Sequence, residues 1–182
     1  SIIMKFYPFK KKFKDFRRPG LKRYLFDFYS LYKKRPIKNN FGGMMFGNMF
    51  GLYFLLRKIK PKFVIESGVH KGQTSWLIEK VLPKAKIISI DLDLSKREYI
   101  SKKIRYSNKD FKFQNFKNLP KSTLVFFDDH QNHIERLMQS RWFGIRNIIF
   151  EDNYPVGRGD FYTIKHAYSN SGYYHPLTYR NI

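Results

Sequence analysis

The amino-acid sequence predicts an α/β domain in which a mostly parallel sheet is covered by helices on both faces. From residue 62 onward, short and almost continuously apolar runs alternate with stretches of helical periodicity. Parallel strands that are buried on both faces and joined by helices have this pattern. Apolar residues make up 42% of the 182 residues, which is enough for one hydrophobic core.

Each element is predicted from a local run of residues. Strands are expected where β-branched and aromatic residues cluster, at residues 62–66, 86–91, 111–116, 123–127 and 147–150. Helices are expected where apolar residues recur every three or four positions, at residues 21–34, 52–60, 73–81, 95–106 and 133–143. After the fifth strand, a helix or strand near residues 160–168 and a last strand near 177–182 would close a shortened C-terminal part of the sheet.

The first 51 residues are interpreted as a separate region. A basic, aromatic and partly helical extension leads into a loop rich in Gly and Met at residues 39–51, which suits a hinge or a lid over a pocket. Residues 52–182 then form the Rossmann-like domain. Residues 1–38 carry thirteen Lys or Arg against two acids, which is half of the net charge of +22. Such a segment can bind an anionic membrane, nucleic acid, a neighbouring domain or an oligomer partner, or it can reflect an AT-rich genome.

Several classes of protein are excluded or disfavoured by composition. The chain has no cysteine, so disulfide scaffolds, cysteine-based zinc sites and thiol nucleophiles are excluded. No run of eighteen uncharged apolar residues is present, and charges interrupt the N-terminus where a signal peptide needs its apolar middle. A cytoplasmic protein without a membrane-spanning helix is therefore expected.

Two strand ends in the first half carry residues typical of cofactor binding. Glu66 ends the first strand and is followed by Gly68 and Gly72, just before a helix. Glycine lets backbone and ligand approach closely, and a helix N-terminus offers free N–H donors. Asp91 ends the second strand, 19 residues after Gly72, near the distance of about 20 residues at which an acid reaches a ribose in such folds.

These two segments, VIESGVHKGQTS and IISIDLD, resemble the first two motifs of class I S-adenosylmethionine-dependent methyltransferases. The resemblance implies S-adenosylmethionine as the cofactor, with the ribose bound by Asp91. It further implies that a set of residues around the first turn and after strand four lines the cofactor: Glu66, Gly68, Gly72, Thr74, Ser75 and Asp128.

Two acids follow each of the last two predicted strands: Asp128 and Asp129, then Glu151 and Asp152. Adjacent strands would bring all four carboxylates into one pocket, where they would repel one another unless a cation lay between them. Oxygen ligands without cysteine suit Mg²⁺ or Mn²⁺. The alternative is an ordinary cluster of acids, some of them paired to arginines of the second half: Arg136, Arg141, Arg146 or Arg158.

This half resembles the metal-dependent sugar and macrolide O-methyltransferases and the related cephalosporin-hydroxylase-like proteins. The resemblance implies a metal held by Asp128 or Asp129 together with Glu151 and Asp152. In that family a histidine three residues after the aspartate is the general base, whereas Gln131 and Asn132 stand at those positions here. The proposed catalytic residues are therefore Asp129 and one of two nearby histidines, His130 or His133.

Three functions follow from these residues. The first is methyl transfer to a hydroxyl of a sugar, glycan or similar small molecule, assisted by a divalent metal. The second is a nucleic-acid methyltransferase that uses the basic surface, although the NPPY- or DPPY-type tetrapeptide of amino-methylating enzymes is replaced by FDDH. The third is a non-catalytic binding module on the same fold.

Overall fold

The computed structural model describes residues 18–169. Its centre is a five-stranded, fully parallel sheet formed by β1 (Phe63–Ser67), β2 (Lys86–Ile90), β3 (Ile104–Ser107), β4 (Leu124–Phe127) and β5 (Asn147–Phe150). The strands lie in the order β3-β2-β1-β4-β5. The α/β architecture predicted from the sequence is confirmed, while the strand predicted at residues 177–182 lies outside the described residues.

Helices cover both faces of the sheet. The helices are α1 (Arg18–Tyr32), α2 (Phe46–Ile59), α3 (Gln73–Val81), α4 (His133–Trp142) and the short α5 (Ile164–Tyr168). One hydrophobic cluster joins the first three helices to Val64, Leu124 and Phe126 of the sheet. A second cluster, on the opposite face, contains Ile65 and Phe127 together with Phe143 at the end of α4. The alternation of side chains along each strand divides the core into these two layers.

The N-terminal region belongs to the first layer. Phe28 of α1 is fully buried, and its ring contacts the rings of Phe50 and Tyr53 on α2. The prediction of a loop at residues 39–51 is wrong for its second half, because α2 begins at Phe46. Packing of α2 against α1 and the sheet outweighs the cost of the two glycines inside the helix. The helix therefore crosses the boundary that separates the two predicted regions.

Two other predictions between β2 and β4 are wrong. The helix expected at residues 95–106 is replaced by a single 3₁₀ turn at Leu94–Lys96 and by β3. Ile104 pairs with Ile87 of β2, and this edge pairing overrides the helical propensity of a charged segment that has little apolar surface to bury. The strand expected at residues 111–116 is a 3₁₀ turn at Phe111–Phe113, where the Phe111 ring is fully buried under the sheet.

The order of the strands defines where a ligand can bind. From β1 the chain proceeds to β2 and β3 on one side, and it then returns to add β4 and β5 on the other side. Beyond the carboxyl ends of β1 and β4, the connections therefore diverge and open a crevice. Within residues 18–169, no helix combines the length and the apolar character needed to cross a bilayer.

Candidate functional site

The turn after β1 is shaped by two glycines. Gly68 has φ +97°, and a Cβ there would lie 2.0 Å from the backbone oxygen of Asp128. Gly72 has φ +90° at the start of α3, where a Cβ would lie 2.9 Å from the backbone oxygen of Tyr99. Both positions need glycine for the positive φ and for the close approach of neighbouring chain. The ends of β1 and β4 meet at Gly68, so this turn forms one wall of the crevice.

Asp91, at the end of β2, holds the same turn from the other side. Its Oδ2 accepts hydrogen bonds from the backbone N–H groups of Val69 and His70, at 2.7 and 3.0 Å. Its Oδ1 accepts one bond, from Asp93 N at 3.0 Å. A carboxylate oxygen has two lone pairs, so Oδ1 can accept a further donor.

Glu66 lies beneath the turn and away from the crevice surface. The fully buried carboxylate accepts hydrogen bonds from the hydroxyls of Ser75 and Ser89, both at 2.5 Å on Oε2. Burial raises the pKa of Glu66 to about 7 despite these two bonds. Thr74 is buried at the start of α3. Among the residues predicted to line the cofactor, Glu66, Thr74 and Ser75 thus support the turn from inside, and their contact with a cofactor stays a prediction.

A cavity of about 200 Å³ opens at the switch point between β1 and β4. Its wall is made by the ends of three strands and by α4. The lining residues are Ser67, Gly68, Ile90, Asp91, Leu92, Asp110, Asp128, Asp129, His130, Gln131 and Arg136. The structure therefore brings together Gly68, Asp91 and Asp128, three of the residues predicted from the sequence to contact the cofactor.

Asp129 forms an ion pair within the chain itself. Its Oδ2 accepts a hydrogen bond from Ser67 Oγ at 2.6 Å and forms an ion pair with Arg136 at 3.0 Å. The buried Arg136 guanidinium also binds both carboxylate oxygens of Asp110, at 2.9 and 2.7 Å. Burial nevertheless raises the pKa of Asp129, while Arg136 opposes that rise. Asp129 is therefore the one of the four predicted acids that pairs with an arginine, as the alternative to a metal site proposed.

Asp128 has a different environment, although it is the neighbour of Asp129. Burial raises the pKa of Asp128 to about 8, and the charges of Glu151 and Asp152 add to the effect. Burial and the adjacent Asp152 also raise the pKa of Glu151 to about 7. Within residues 18–169, no Lys or Arg forms an ion pair with Asp128, Glu151 or Asp152. This group of carboxylates therefore carries negative charge that no described cation balances.

A group of donor atoms suited to a metal ion is found here. Ligand atoms of Asp128, His130 and Asp152 all lie within 4.8 Å of one another. Nε2 of His130 lies 3.8 Å from Asp152, and its Nδ1 lies 3.0 Å from Asp160. Two carboxylates and an imidazole suit a divalent cation. The predicted ligands Asp128 and Asp152 are in this group, whereas Asp129 and Glu151 are outside it.

His133 is buried at the start of α4. Its ring stacks on Phe150, with the ring centres 3.9 Å apart, and also contacts Phe161. Burial lowers the pKa of His133 to about 4. The neutral ring lies beside Asp128, His130 and Asp152 in a second, narrow pocket.

Sequence reasoning missed three residues of this edge. Asp160 binds His130, Asp110 binds Arg136, and Asn48 of α2 donates a short hydrogen bond to Glu151 Oε1. Asn48 lies 103 residues away from its partner in the chain. All three are single polar residues outside any motif, so the sequence offered no signal for them.

No protein-family model matches the sequence, and no curated protein matches it. A solved structure of CmcI with SAH is similar to this chain, with 15% identity and a TM-score of 0.53 over 59% of this chain and 61% of CmcI. An apo-structure of CmcI has the same identity and TM-score over 64% of this chain and 57% of its own. The chain thus spans about three-fifths of the length of these structures. The likeness establishes the fold, a Rossmann-like α/β domain.

Proposed function

We propose that this chain is an S-adenosylmethionine-dependent O-methyltransferase, whose acceptor is a hydroxyl of a sugar, glycan or similar small molecule. One observation carries the proposal: the glycine turn and Asp91 border the same cavity as Asp128, and Asp128 in turn belongs to the group of donor atoms that includes Asp152 and His130. A group that binds a ribose and a group that binds a cation would thus stand side by side. Methyl transfer to a hydroxyl needs such alignment of a methyl donor with an oxygen that loses its proton.

The chemistry of the residues around the turn fits the cofactor. Gly68 and the residues after it form the turn, and Asp91 Oδ1 retains the capacity to accept a bond from a ribose hydroxyl. Asp128 lines the cavity next to Gly68. S-adenosylmethionine, when bound, supplies a methyl group on a positively charged sulfur. The SAH of the CmcI structure is the product of such a donor, which supports the same ligand here.

The carboxylates fit a divalent cation, Mg²⁺ or Mn²⁺. Raised pKa values of Asp128 and Glu151 indicate that the pocket holds more negative charge than it stabilises by itself. Asp128 and Asp152 would hold the ion, with Glu151 beside them, and His130 would then stay uncoordinated at the edge of the group. A cation bound there lowers the pKa of a nearby hydroxyl.

His130 is the better candidate for the general base. Because Asp160 binds Nδ1, the other ring nitrogen is left free to take a proton on the side of Asp152. Burial makes His133 a weak proton acceptor, since its pKa falls to about 4. The Phe150 ring under His133 and the adjacent Phe161 make it part of the wall. Asp129, paired with Arg136, would act by positioning the loop after β4.

Calorimetric titration tests the proposal directly. SAH should bind the wild-type protein both with Mg²⁺ and with EDTA, because Gly68 and Asp91 act on the cofactor without the metal. A separate Mg²⁺ titration should give a signal that Asp152→Asn abolishes. Glu135→Gln, which removes an exposed acid of α4, is the matched control and should keep the signal.

The outcomes separate the alternatives. Binding of SAH without any Mg²⁺ signal would leave a methyltransferase that relies on its histidines. Absence of SAH binding would remove the proposal and favour the binding module. Once SAH binds, transfer of a labelled methyl group to a panel of sugars, with RNA and DNA as alternative acceptors, identifies the acceptor class.

A further inference from the structure

The exposed face of α1 combines positive charge with large apolar side chains. Lys22, Phe26 and Tyr29 of α1 are spaced three or four residues apart and share one face. Lys33, the first residue after α1, extends this face because its backbone N–H donates to Tyr29 O in the manner of a further helical turn. Phe26 is 61% exposed and Tyr29 is 48% exposed. Leu25, at 41%, borders the same face. We call these five residues the outer face of α1.

The opposite face of α1 fastens the helix to the domain. Phe28 is fully buried and contacts Phe46, Phe50 and Tyr53 of α2. Because α1 is already fixed by this contact, the exposed rings of its outer face are not needed to hold the helix in place. Exposed aromatic groups flanked by one sign of charge mark an interaction surface.

The lysines of the outer face lie along its rings. Lys22 Nζ is 5.8 Å from the centre of the Phe26 ring, and Lys33 Nζ is 4.5 Å from the centre of the Tyr29 ring. Each pair combines an apolar ring with a cation over it, and such neighbouring apolar and cationic groups suit the boundary between lipid headgroups and acyl chains.

We infer that the outer face of α1 binds the surface of an anionic phospholipid bilayer. Charge complementarity supports this partner: residues 18–38 carry seven Lys or Arg against Asp27 alone, and basic side chains near a membrane are attracted to anionic headgroups. A lipid surface also uses the exposed Leu25, whose aliphatic carbons would gain nothing from the phosphates of a nucleic acid. The inference is independent of the proposed reaction.

Vesicle sedimentation tests this inference on the full 182-residue chain. The wild type should bind phosphatidylcholine vesicles that contain phosphatidylserine, and it should bind pure phosphatidylcholine vesicles at least about fivefold more weakly. Two double variants, Phe26→Ala with Tyr29→Ala and Lys22→Glu with Lys33→Glu, should each weaken binding at least about fivefold. Circular dichroism checks that both variants keep the helical content of the wild type.

Matched controls alter equally exposed residues elsewhere. Trp142→Ala removes a ring that is 87% exposed on α4, and Lys121→Glu reverses an exposed charge before β4; neither should change vesicle binding. The inference is overturned if the α1 variants bind anionic vesicles as the wild type does. The inference is also overturned if these variants keep their affinity for vesicles and lose only their affinity for a labelled RNA oligonucleotide. Loss of only a dimer, detected by sedimentation velocity, would overturn it in the same way.

Discussion

Asp128 and Asp129 are consecutive residues at the end of β4, yet their side chains enter two different environments. Asp129 continues the alternation of Val125 and Phe127 toward α4, where Arg136 and Ser67 bind its carboxylate. Asp128 lies beside Glu151 and Asp152, where no described Lys or Arg is paired with it. Asp129 therefore belongs to an ion-pair network, whereas Asp128 belongs to an acidic pocket in which no described Lys or Arg is its partner.

The comparison distinguishes the carboxylates that support the fold from those that could bind a ligand at this edge of the sheet. The Asp110–Arg136–Asp129 network is formed by the protein alone, and it joins the segment after β3 and the end of β4 to α4. The acidic pocket is stable as a cluster of ionised carboxylates only with an added cation or with protons. A ligand is therefore expected on the side of Asp128 and not on the side of Asp129.

The largest effect on stability is expected from removing the guanidinium of Arg136, which Asp110 and Asp129 share. Arg136→Gln removes a buried guanidinium and leaves the half-buried carboxylates of Asp110 and Asp129 without their cation, which should lower the free energy of unfolding by about 3–5 kcal/mol. Urea unfolding measures this change. Arg141→Gln, an exposed residue of the same helix, is the control and should change stability by less than about 0.5 kcal/mol. An equally small change for Arg136 would show that the network does not support the fold.

Neutralising the two aspartates should have effects of different size. In Asp129→Asn, the loss of the ion pair with Arg136 offsets the removal of a carboxylate whose pKa is raised by burial, so the free energy of unfolding should change by less than about 1 kcal/mol. Asp128→Asn removes a half-buried carboxylate that has no Arg or Lys partner among the described residues, and it should stabilise the metal-free protein at pH 8 by about 1–3 kcal/mol. Urea unfolding in EDTA measures both changes, and destabilisation by both variants would contradict the comparison.

The same pair of variants has a defined pH dependence. The folded-state pKa of Asp128 is raised to about 8, so the folded protein binds this proton more tightly than the unfolded chain does. The free energy of unfolding should therefore decrease as pH rises from about 4 to about 8 in metal-free protein. The decrease should be smaller in Asp128→Asn, and Mg²⁺ should reduce it in the wild type.

The smallest effect is expected at the contact between α2 and the acidic pocket. Asn48→Ala removes the amide that donates to Glu151, and this bond lowers the pKa of Glu151. Without it, the pH midpoint of Mg²⁺ binding should rise by less than about one unit, with a change in stability below about 1 kcal/mol. Calorimetric Mg²⁺ titrations across pH 6–8.5 (roughly the range in which Glu151 titrates) detect the shift. A downward shift would contradict the assigned role of Asn48.

Prediction from sequence was most successful where a local pattern decides the structure. The strand at residues 147–150 and the helix at 73–81 have the predicted bounds, because the strand is a short run rich in isoleucine and phenylalanine and the helix is bounded by Gly72 and Pro83. It failed at residues 95–106 and at the start of α2. There the outcome depends on pairing with β2 and on packing against Phe28 of α1, contacts that a local window does not contain.

The sequence alone determined the fold class, the glycine turn with Asp91, and the presence of acids after β4 and β5. These features follow from alternation, spacing and the rule that parallel strands end at one edge. Which acids find a partner within the chain and which form the acidic pocket depends on contacts made in the folded structure. Arg136 reaches Asp129 from α4, Asp160 reaches His130 from beyond β5, and Asn48 reaches Glu151 from α2. Charge balance depends on distances between side chains that are remote in sequence, and those distances exist only in the folded chain.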